Sequence, residues 1–286
     1  MNQSNQPLVS VVIACYNHEF FVQDSIQSVI DQTYQNIELI IIDDGSKDGS
    51  VEKIQEMIPT CQKRFIRFEF RYRPNKGLSA TLNEALEWCE GEYYAGFASD
   101  DIMLNDKTDI QVRFLNDNKD VVAVFGGVKL IDEKNIEVGI LQHSSTSYSF
   151  KEIIMHEHDL PAPTQLIRMS SLKNVGGYSP DILIEDWYMW LKLSNIGKIY
   201  YMNKIMSLYR RHETNTSGNL SLIHQGRIEV LNKFKNSKYY IEAYSKIEWL
   251  NFVENILASN QLKFLKYIRI FIYHPVRAIR FFLKLM

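Results

Sequence analysis

The sequence is short of the features that mark several protein classes. Its three cysteines, Cys15, Cys61 and Cys89, lie far apart and lack the paired spacing of a metal site. They are expected to be reduced thiols in a cytosolic protein. Basic charge is not in surplus: the formal net charge is −2, so no broad positive field points to nucleic acid. No apolar run reaches the roughly 18 residues that span a bilayer. The opening MNQSNQPLVS has no basic segment ahead of an apolar one, so no secretory leader is expected. Internal repeats and low-complexity segments are absent. No glycine-rich loop follows the first apolar run, where the chain reads Ala14-Cys15-Tyr16-Asn17-His18.

What the chain does have is material for a core. It is 286 residues long, 45% hydrophobic and 12% aromatic. At roughly 100–200 residues per domain, one large domain or one domain with a small appendage is expected.

Leu8 to Tyr16, LVSVVIACY, is a β-branched run with the character of a buried strand. Phe20 to Gln32 follows with helical spacing. Ile37 to Ile42 is a second buried strand, Asp48 to Met57 a helix, and Phe65 to Tyr72 a third strand. Leu78 to Cys89 is a helix and Tyr93 to Ala98 a fourth strand. This alternation predicts an α/β fold, a mostly parallel doubly wound sheet with helices on both faces. In such sheets ligands bind beyond the C-terminal ends of the strands. Tyr16-Asn17, Asp43-Asp44, Arg71 to Lys76 and Asp100-Asp101 all fall there.

Past Asp101 the pattern loosens. Val121 to Leu130 is an apolar strand with a break expected at Gly126-Gly127. Gly139 to Ser149 reads as a loop or an edge. Gln165 to Arg168 and Lys198 to Tyr209 are strand-like, and Ile184 to Leu193 is helical. Ser221 to Phe234 and Ala243 to Ala258 read as helices outside the sheet.

Two apolar runs end in paired carboxylates: IELIIIDDGS, with Asp43 and Asp44, and AGFASDD, with Asp100 and Asp101. A turn accounts for Asp43-Asp44-Gly45-Ser46 as well as a site does. Adjacent carboxylates suppress one another's ionisation unless a cation compensates. A divalent ion held by carboxylates and substrate phosphates is one such compensation. Two pairs on successive strand tips therefore argue for a metal-nucleotide site.

The stretch PLVSVVIACYNHEFFVQDSIQSVIDQTYQNIELIIIDDGSKDGS resembles the N-terminal half of a family 2 glycosyltransferase with the GT-A fold. The resemblance continues through NKGLSATLNEAL, GEYYAGFASDD and GGYSPDILIEDWYMWLKL, over roughly residues 8–212. It implies that Tyr16, flanked by Ala14 and Asn17, stacks on the base of a nucleotide-sugar donor. Asp44 would accept a hydrogen bond from that base, and Asp43 would shape the pocket. Asn75, Lys76 and Gly77 match the loop beneath the nucleotide. Ser99-Asp100-Asp101 matches the family's Asp-x-Asp element, with serine in its first position. Asp100 would then meet the ribose or sugar, and Asp101 would ligate Mn2+ or Mg2+, with His212 completing the shell. Asp186 matches the general base and Glu185 a supporting residue. Without the resemblance, an acidic first turn complementing a helix dipole is the better reading of the pair. Arg210 and Arg211 are candidates for the diphosphate, or for a solvated basic turn. His156 and His158 invite a metal reading that a polar loop also explains. The Gln-x-x-Arg-Trp element of processive synthases is absent.

On this reading residues 1–218 form the glycosyltransferase domain, with a nucleotide-sugar half at about 8–105 and an acceptor half at about 106–218. Residues 219–286 form a C-terminal helical extension. Its tail sets Lys263, Lys266, Arg269, Arg277, Arg280 and Lys284 among bulky apolar residues. Such a segment can lie on an anionic membrane or pack its apolar side on protein. The expectation is an inverting, metal-dependent transfer from a UDP-sugar to a glycan acceptor on a polyprenyl diphosphate, as in O-antigen or capsule synthesis. The enzyme would be cytoplasmic and peripheral to the membrane. The alternatives are a sugar nucleotidyltransferase, an inactive glycan-binding module and a phosphoacceptor domain. The last would carry its acidic pair after the first strand of a much shorter chain.

Overall fold

The computed structural model describes residues 6–212 and 218–258. The basic tail named above therefore lies outside the described residues. No described helix is long and apolar enough to cross a membrane.

The first half alternates as the apolar runs predict. β1 (Val9–Cys15) leads to α1 (Val22–Ile30), β2 (Ile37–Asp43), α2 (Ser50–Arg64), β3 (Arg67–Tyr72), α3 (Leu78–Trp88) and β4 (Tyr93–Ala98). Every residue of β2 is buried, which is why it reads as an unbroken apolar run. α2 continues beyond Met57 and carries Pro59 inside it. Next to its end, the Arg64 guanidinium donates to the carbonyls of Ile30, Gln32 and Tyr34 at 2.8–2.9 Å, closing the exit from α1.

The second half adds β5 (Ile102–Met103), α4 (Lys107–Asp117), β6 (Val121–Ile131), β7 (Glu137–Leu141), β8 (Thr146–Tyr148) and α5 (Phe150–Ile154). A 3-10 turn at Ala162–Thr164 precedes β9 (Leu166–Arg168), α6 (Met169–Asn174), α7 (Glu185–Ser194) and β10 (Lys198–Arg210). The sheet runs β3-β2-β1-β4-β9-β6-β10-β5, with β7 on β6 and β8 on β10. The strands β3, β2, β1 and β4 are parallel, and β9 is antiparallel to both its neighbours.

β6 stays a strand through Gly126-Gly127, and the irregularity falls on β10, whose register against it shifts between Met202 and Ile205. A Cβ on Gly126 would sit 2.6 Å from the Lys204 carbonyl, and one on Gly127 2.8 Å from the Leu141 carbonyl. The glycines let β10 and β7 close on the strand instead of interrupting it. Likewise the polar stretch after Gly139 is partly ordered as β7 and β8.

The strand order fixes where a ligand can bind. The chain leaves β1 towards β2 and returns from β3 to β4 on the other side of β1. The switch in direction therefore falls between β1 and β4, and a crevice opens beyond their C-terminal ends. Register sets those ends side by side: Ala14 pairs with Ala98, and Cys15 with Asp43.

The chain divides into two compact units, one of residues 1–153 and 157–213, the other of 154–156 and 214–286. The described helices of the second are α8 (Leu220–Lys233) and α9 (Tyr240–Ala258). Asn219 caps α8 through the Leu222 N–H at 3.1 Å. Arg227 grips Glu254 with two bonds of 2.7 and 3.0 Å, and Trp249, Val253 and Ile256 are buried.

At the opposite end of the sheet from the crevice, buried Glu38 ties β1, β2 and the α3–β4 connection together. Its carboxylate accepts from Ser10 Oγ at 2.5 Å, the Glu90 N–H at 2.7 Å, the Gly91 N–H at 3.0 Å and Arg67 at 3.0 Å. Glu38→Ala removes the acceptor these donors share, although the Gly91 N–H keeps Ser10 Oγ and Arg67 keeps the Trp88 carbonyl. It is expected to cost about 3 kcal/mol, read as a lower urea midpoint with an unchanged slope.

Candidate active site

β1 delivers Tyr16, Asn17 and His18 into the crevice. Tyr16 is 45% exposed, which leaves a ring face available for stacking. Ala14 lies half-buried within β1 itself. Asn17 adopts φ 55°, a left-handed conformation that asparagine tolerates. Its N–H donates to Ser46 Oγ and its Oδ1 accepts from the Lys47 N–H, both at 2.8 Å. The tips of β1 and β2 are thus clasped.

β2 delivers the first acidic pair, and its two members differ in what they hold. Asp43 is fully buried and closes the turn: it accepts from the Gly45 and Ser46 N–H groups and from Ser46 Oγ. Asp44 reaches across to the loop after β3. Its oxygens accept from the Lys76 N–H at 2.8 Å, the Gly77 N–H at 2.9 Å and the Arg73 guanidinium. Arg73 is held in turn by Glu84 at 2.8 Å and Thr81 at 2.9 Å. Gly45 is required at this crossing, because its φ is +80° and a Cβ would meet the Asn75 nitrogen at 2.6 Å. Asn75 Oδ1 accepts from the Gly77 N–H at 3.2 Å, so Asn75, Lys76 and Gly77 form one ordered bend under Asp44.

β4 delivers Ser99, Asp100 and Asp101, which are 1%, 6% and 1% exposed. Ser99 Oγ lies 2.7 Å from His18 Nδ1, joining the tips of β4 and β1. Asp100 Oδ2 lies 2.9 Å from His212 Nε2. Asp101 turns inward, and its Oδ1 accepts the Arg210 N–H at 2.9 Å. Arg210, fully buried, donates Nε to the Asp100 carbonyl at 2.7 Å. Its other nitrogens reach the Asp132 carbonyl and the Asp24 carboxylate. Phe21 lies under its guanidinium at 4.6 Å. Arg210 is therefore a structural cation beneath the acidic pair. Arg211 lies over the Tyr209 ring at 4.6 Å.

Burial raises Asp100, but the His212 hydrogen bond and the charges of His18 and His212 outweigh it and hold the carboxyl below its ordinary range. Burial, reinforced by the Asp100 charge, pushes Asp101 well above that range, against the pull of Arg210 and Arg211. Burial likewise lowers His18. The neighbouring carboxyls thus titrate apart, as a close like-charged pair must.

A divalent cation fits one group among the described residues: His18, Asp100 and His212 offer ligand atoms all within 4.8 Å of one another. Two imidazoles and a carboxylate suit a first-row divalent ion. The structure puts Asp100 into this group, while Asp101, expected as the ligand, faces the Arg210 backbone. Neither His156 nor His158 belongs to it. His158 packs edge-on against Trp190 at 5.6 Å, and burial pushes its pKa down to about 4.

Glu185 and Asp186 open α7. Asp186 Oδ1 accepts its neighbour's N–H, from Trp187, at 2.5 Å. Burial raises the pKa of both; the Asp186 charge adds to the effect at Glu185, which is pushed up to about 8. Both remain partly exposed, so water moderates these shifts. The preceding loop is pinned to α3, since Asn83 bonds the Tyr178 N–H and carbonyl at 2.9 and 2.8 Å.

Sequence reasoning missed His18 and Arg73. Both lie just past strand tips already recognised as facing the crevice, and that position was the available signal.

The sheet order, with a polar crevice at its switch point, defines an α/β domain of the GT-A kind. The profile of Glycosyl transferase family 2 matches residues 10–176, and the chain belongs to that family. An uncharacterized glycosyltransferase of Haemophilus influenzae is 30% identical over 255 residues, covering 88% of this chain and 93% of its own length. One from Rickettsia felis is 30% identical over 226 residues, and the chain spans only 36% of that relative. Among solved structures, S. aureus TarS 1–349 in complex with UDP-GlcNAc superposes with a TM-score of 0.62 at 17% identity, covering 92% of this chain and 70% of that one. The mannosyltransferase PcManGT of Pyrobaculum calidifontis, in complex with GDP-Man and Mn2+, gives 0.67 at 15%, covering 96% and 83%.

The raised Glu185 carboxyl gives a signed pH effect. Between its ordinary 4.5 and about 8, the folded chain holds a proton that the unfolded chain has lost. Stability contributed by that proton falls as pH rises through this window. Glu185→Gln is expected to flatten the decline between pH 5 and 8, measured by urea unfolding at each pH. Parallel curves for the two proteins would contradict the shift.

Proposed function

We propose that the chain moves one sugar, with inversion, from a nucleotide-diphosphate sugar to a hydroxyl of a glycan acceptor. The observation that carries this reading is the meeting of the β1, β2 and β4 tips at the switch point. It brings an exposed aromatic, an anchored carboxylate and a His/Asp/His ligand group to one crevice. Tyr16 stacks on the base. Asp44 and the 75–77 bend form the floor beside it, with Asp43 and Asn17 holding the turn. Asp100 and His212 hold a divalent cation, Mn2+ or Mg2+, and Asp101 positions them by anchoring the Arg210 backbone two residues before His212. When bound, such a cation supplies positive charge to the departing diphosphate.

The chain's own residues perform the acceptor chemistry. The acceptor O–H gives its proton to the Asp186 carboxylate as its oxygen bonds to the anomeric carbon. The bond from that carbon to the diphosphate oxygen breaks, and its electron pair leaves with the nucleotide. A raised carboxyl pKa suits this role, because it strengthens Asp186 as a proton acceptor. Glu185 beside it, raised by burial and by the Asp186 charge, holds its own proton and so leaves Asp186 as the member of the pair that accepts one.

We take the donor to be UDP-linked, as UDP-GlcNAc is in the TarS complex. The acceptor is then a lipid-linked surface glycan, as in O-antigen or capsule assembly. Residues 261–286 would bring the enzyme to the cytoplasmic face of the membrane.

Asp186→Asn is expected to lower transfer by about 100-fold or more while donor affinity stays within about three-fold. A matching loss of donor affinity would remove Asp186 from the base role. In a thermal-shift series with UDP-, GDP- and dTDP-sugars, UDP-sugars are expected to stabilise the protein most, and only with Mn2+ or Mg2+ present. Stabilisation by a GDP-sugar alone would overturn the UDP assignment.

A further inference from the structure

We propose that His18 is a third protein ligand of the cation and that, with two imidazoles in the shell, the site selects Mn2+ or Co2+ over Mg2+. The inference rests on the cation reading above, and its own claim concerns which side chains bind and which ion they choose.

Three observations carry it. First, the ligand atoms of His18, Asp100 and His212 all fall within 4.8 Å of one another, and the Asp100–His212 pair is already at 2.9 Å. First-row metal–nitrogen and metal–oxygen bonds of about 2.0–2.2 Å put adjacent ligands about 3 Å apart, the Asp100–His212 spacing, and His18 needs only a small inward closure to join them. Second, His18 is oriented from behind. His18 Nδ1 lies 2.7 Å from Ser99 Oγ, and in the tautomer that donates Nδ1–H to that oxygen Nε2 keeps its lone pair for a metal. Metal-binding histidines are commonly fixed through their other nitrogen in this way. Third, the two rings are held by packing: His212 stacks on Phe21 at 5.2 Å, and His18 meets His212 edge-on at 5.5 Å. Little ordering is left for the cation to impose.

The ion preference follows from the donors. Mg2+ takes oxygen ligands and gives up its waters reluctantly. Affinity at a nitrogen-bearing site rises from Mn2+ to Co2+ along the first row, and a nitrogen donor is one that oxygen-seeking Mg2+ gains least from. A serine in the first position of Ser99-Asp100-Asp101 removes a carboxylate that would favour Mg2+, and that same serine orients His18.

The test uses the full chain without donor, so that metal binding is read apart from transfer. Mn2+ is titrated by electron paramagnetic resonance, Co2+ by its visible bands, and Mg2+ by competition against Mn2+. The wild type is expected to bind Mn2+ at least ten-fold more tightly than Mg2+. His18→Ala should weaken Mn2+ and Co2+ at least ten-fold and change Mg2+ less than three-fold. His18→Asp should narrow or reverse the preference. His18→Gln, which keeps a polar group near Ser99, guards against a folding defect and should lose Co2+ in the same way. Unchanged Mn2+ and Co2+ affinities in folded His18→Ala and His18→Gln would overturn the proposal and leave His18 as a partner of Ser99 alone. If the metal preference holds but UDP- and GDP-sugars bind equally with and without Mn2+, His18 stands as a ligand and the donor reading fails instead.

Discussion

Two adjacent carboxylates can be buried at the tip of a strand only if positive charge and hydrogen-bond donors are buried with them. Arg210 supplies both. Its side chain is fully sealed, and its backbone N–H holds Asp101 while its Nε holds the Asp100 carbonyl. Without that compensation a carboxylate at 1% exposure would cost several kcal/mol. Arg210 ends β10, so the long strand that pairs with β6 is also the element that makes the acidic tip of β4 tolerable. The sheet's topology and the electrostatics of the crevice are therefore one constraint. β10 must run to the end of the site before His212 can stand beside Asp100.

A similar economy operates at Asp44. Its carboxylate is 4% exposed, yet it is not stranded, because the Lys76 and Gly77 amides and Arg73 all point at it. The loop after β3 could take many shapes, and these three donors select one. Gly45 permits the close crossing that brings Asp44 there. The chain's own donors therefore fix this bend, and a loop held in one shape lowers the ordering cost of any binding there.

The first half of the fold was legible because parallel strands buried on both faces leave continuous apolar runs, as Val9–Cys15 and Ile37–Asp43 do. The second half was harder for physical reasons. β5 and β8 have two and three residues, too few to show a period. β7 is exposed along most of its length, so no burial pattern marks it. At Gly126-Gly127 the glycines serve the approach of neighbouring strands, a tertiary fact that mimics a local break. In the site, Asp43, Asp44 and Asp100 stood out at strand tips, and His212 entered only through the family resemblance. Which carboxylate of the Asp100-Asp101 pair faces outward was not, because adjacent residues exchange faces on a small change of backbone angle. Arg210 could not be told from a ligand-binding cation, since burial alone separates the two roles.

The His18–Ser99 contact shows how the switch point turns topology into chemistry. Their separation in sequence is wide, yet parallel pairing of Ala14 with Ala98 forces the residues that follow to meet. Any polar pair placed just beyond these two strands would be brought together in the same way. The crevice thus offers a fixed junction whose occupants the sequence can vary independently of the fold. Aromatic packing then decides how rigid that junction is, since Phe21 lies both under Arg210 and against His212. One ring couples the buried cation that sustains the acidic tip to the His212 imidazole beside Asp100. Loss of that ring would loosen both at once, although Phe21 itself carries no chemistry.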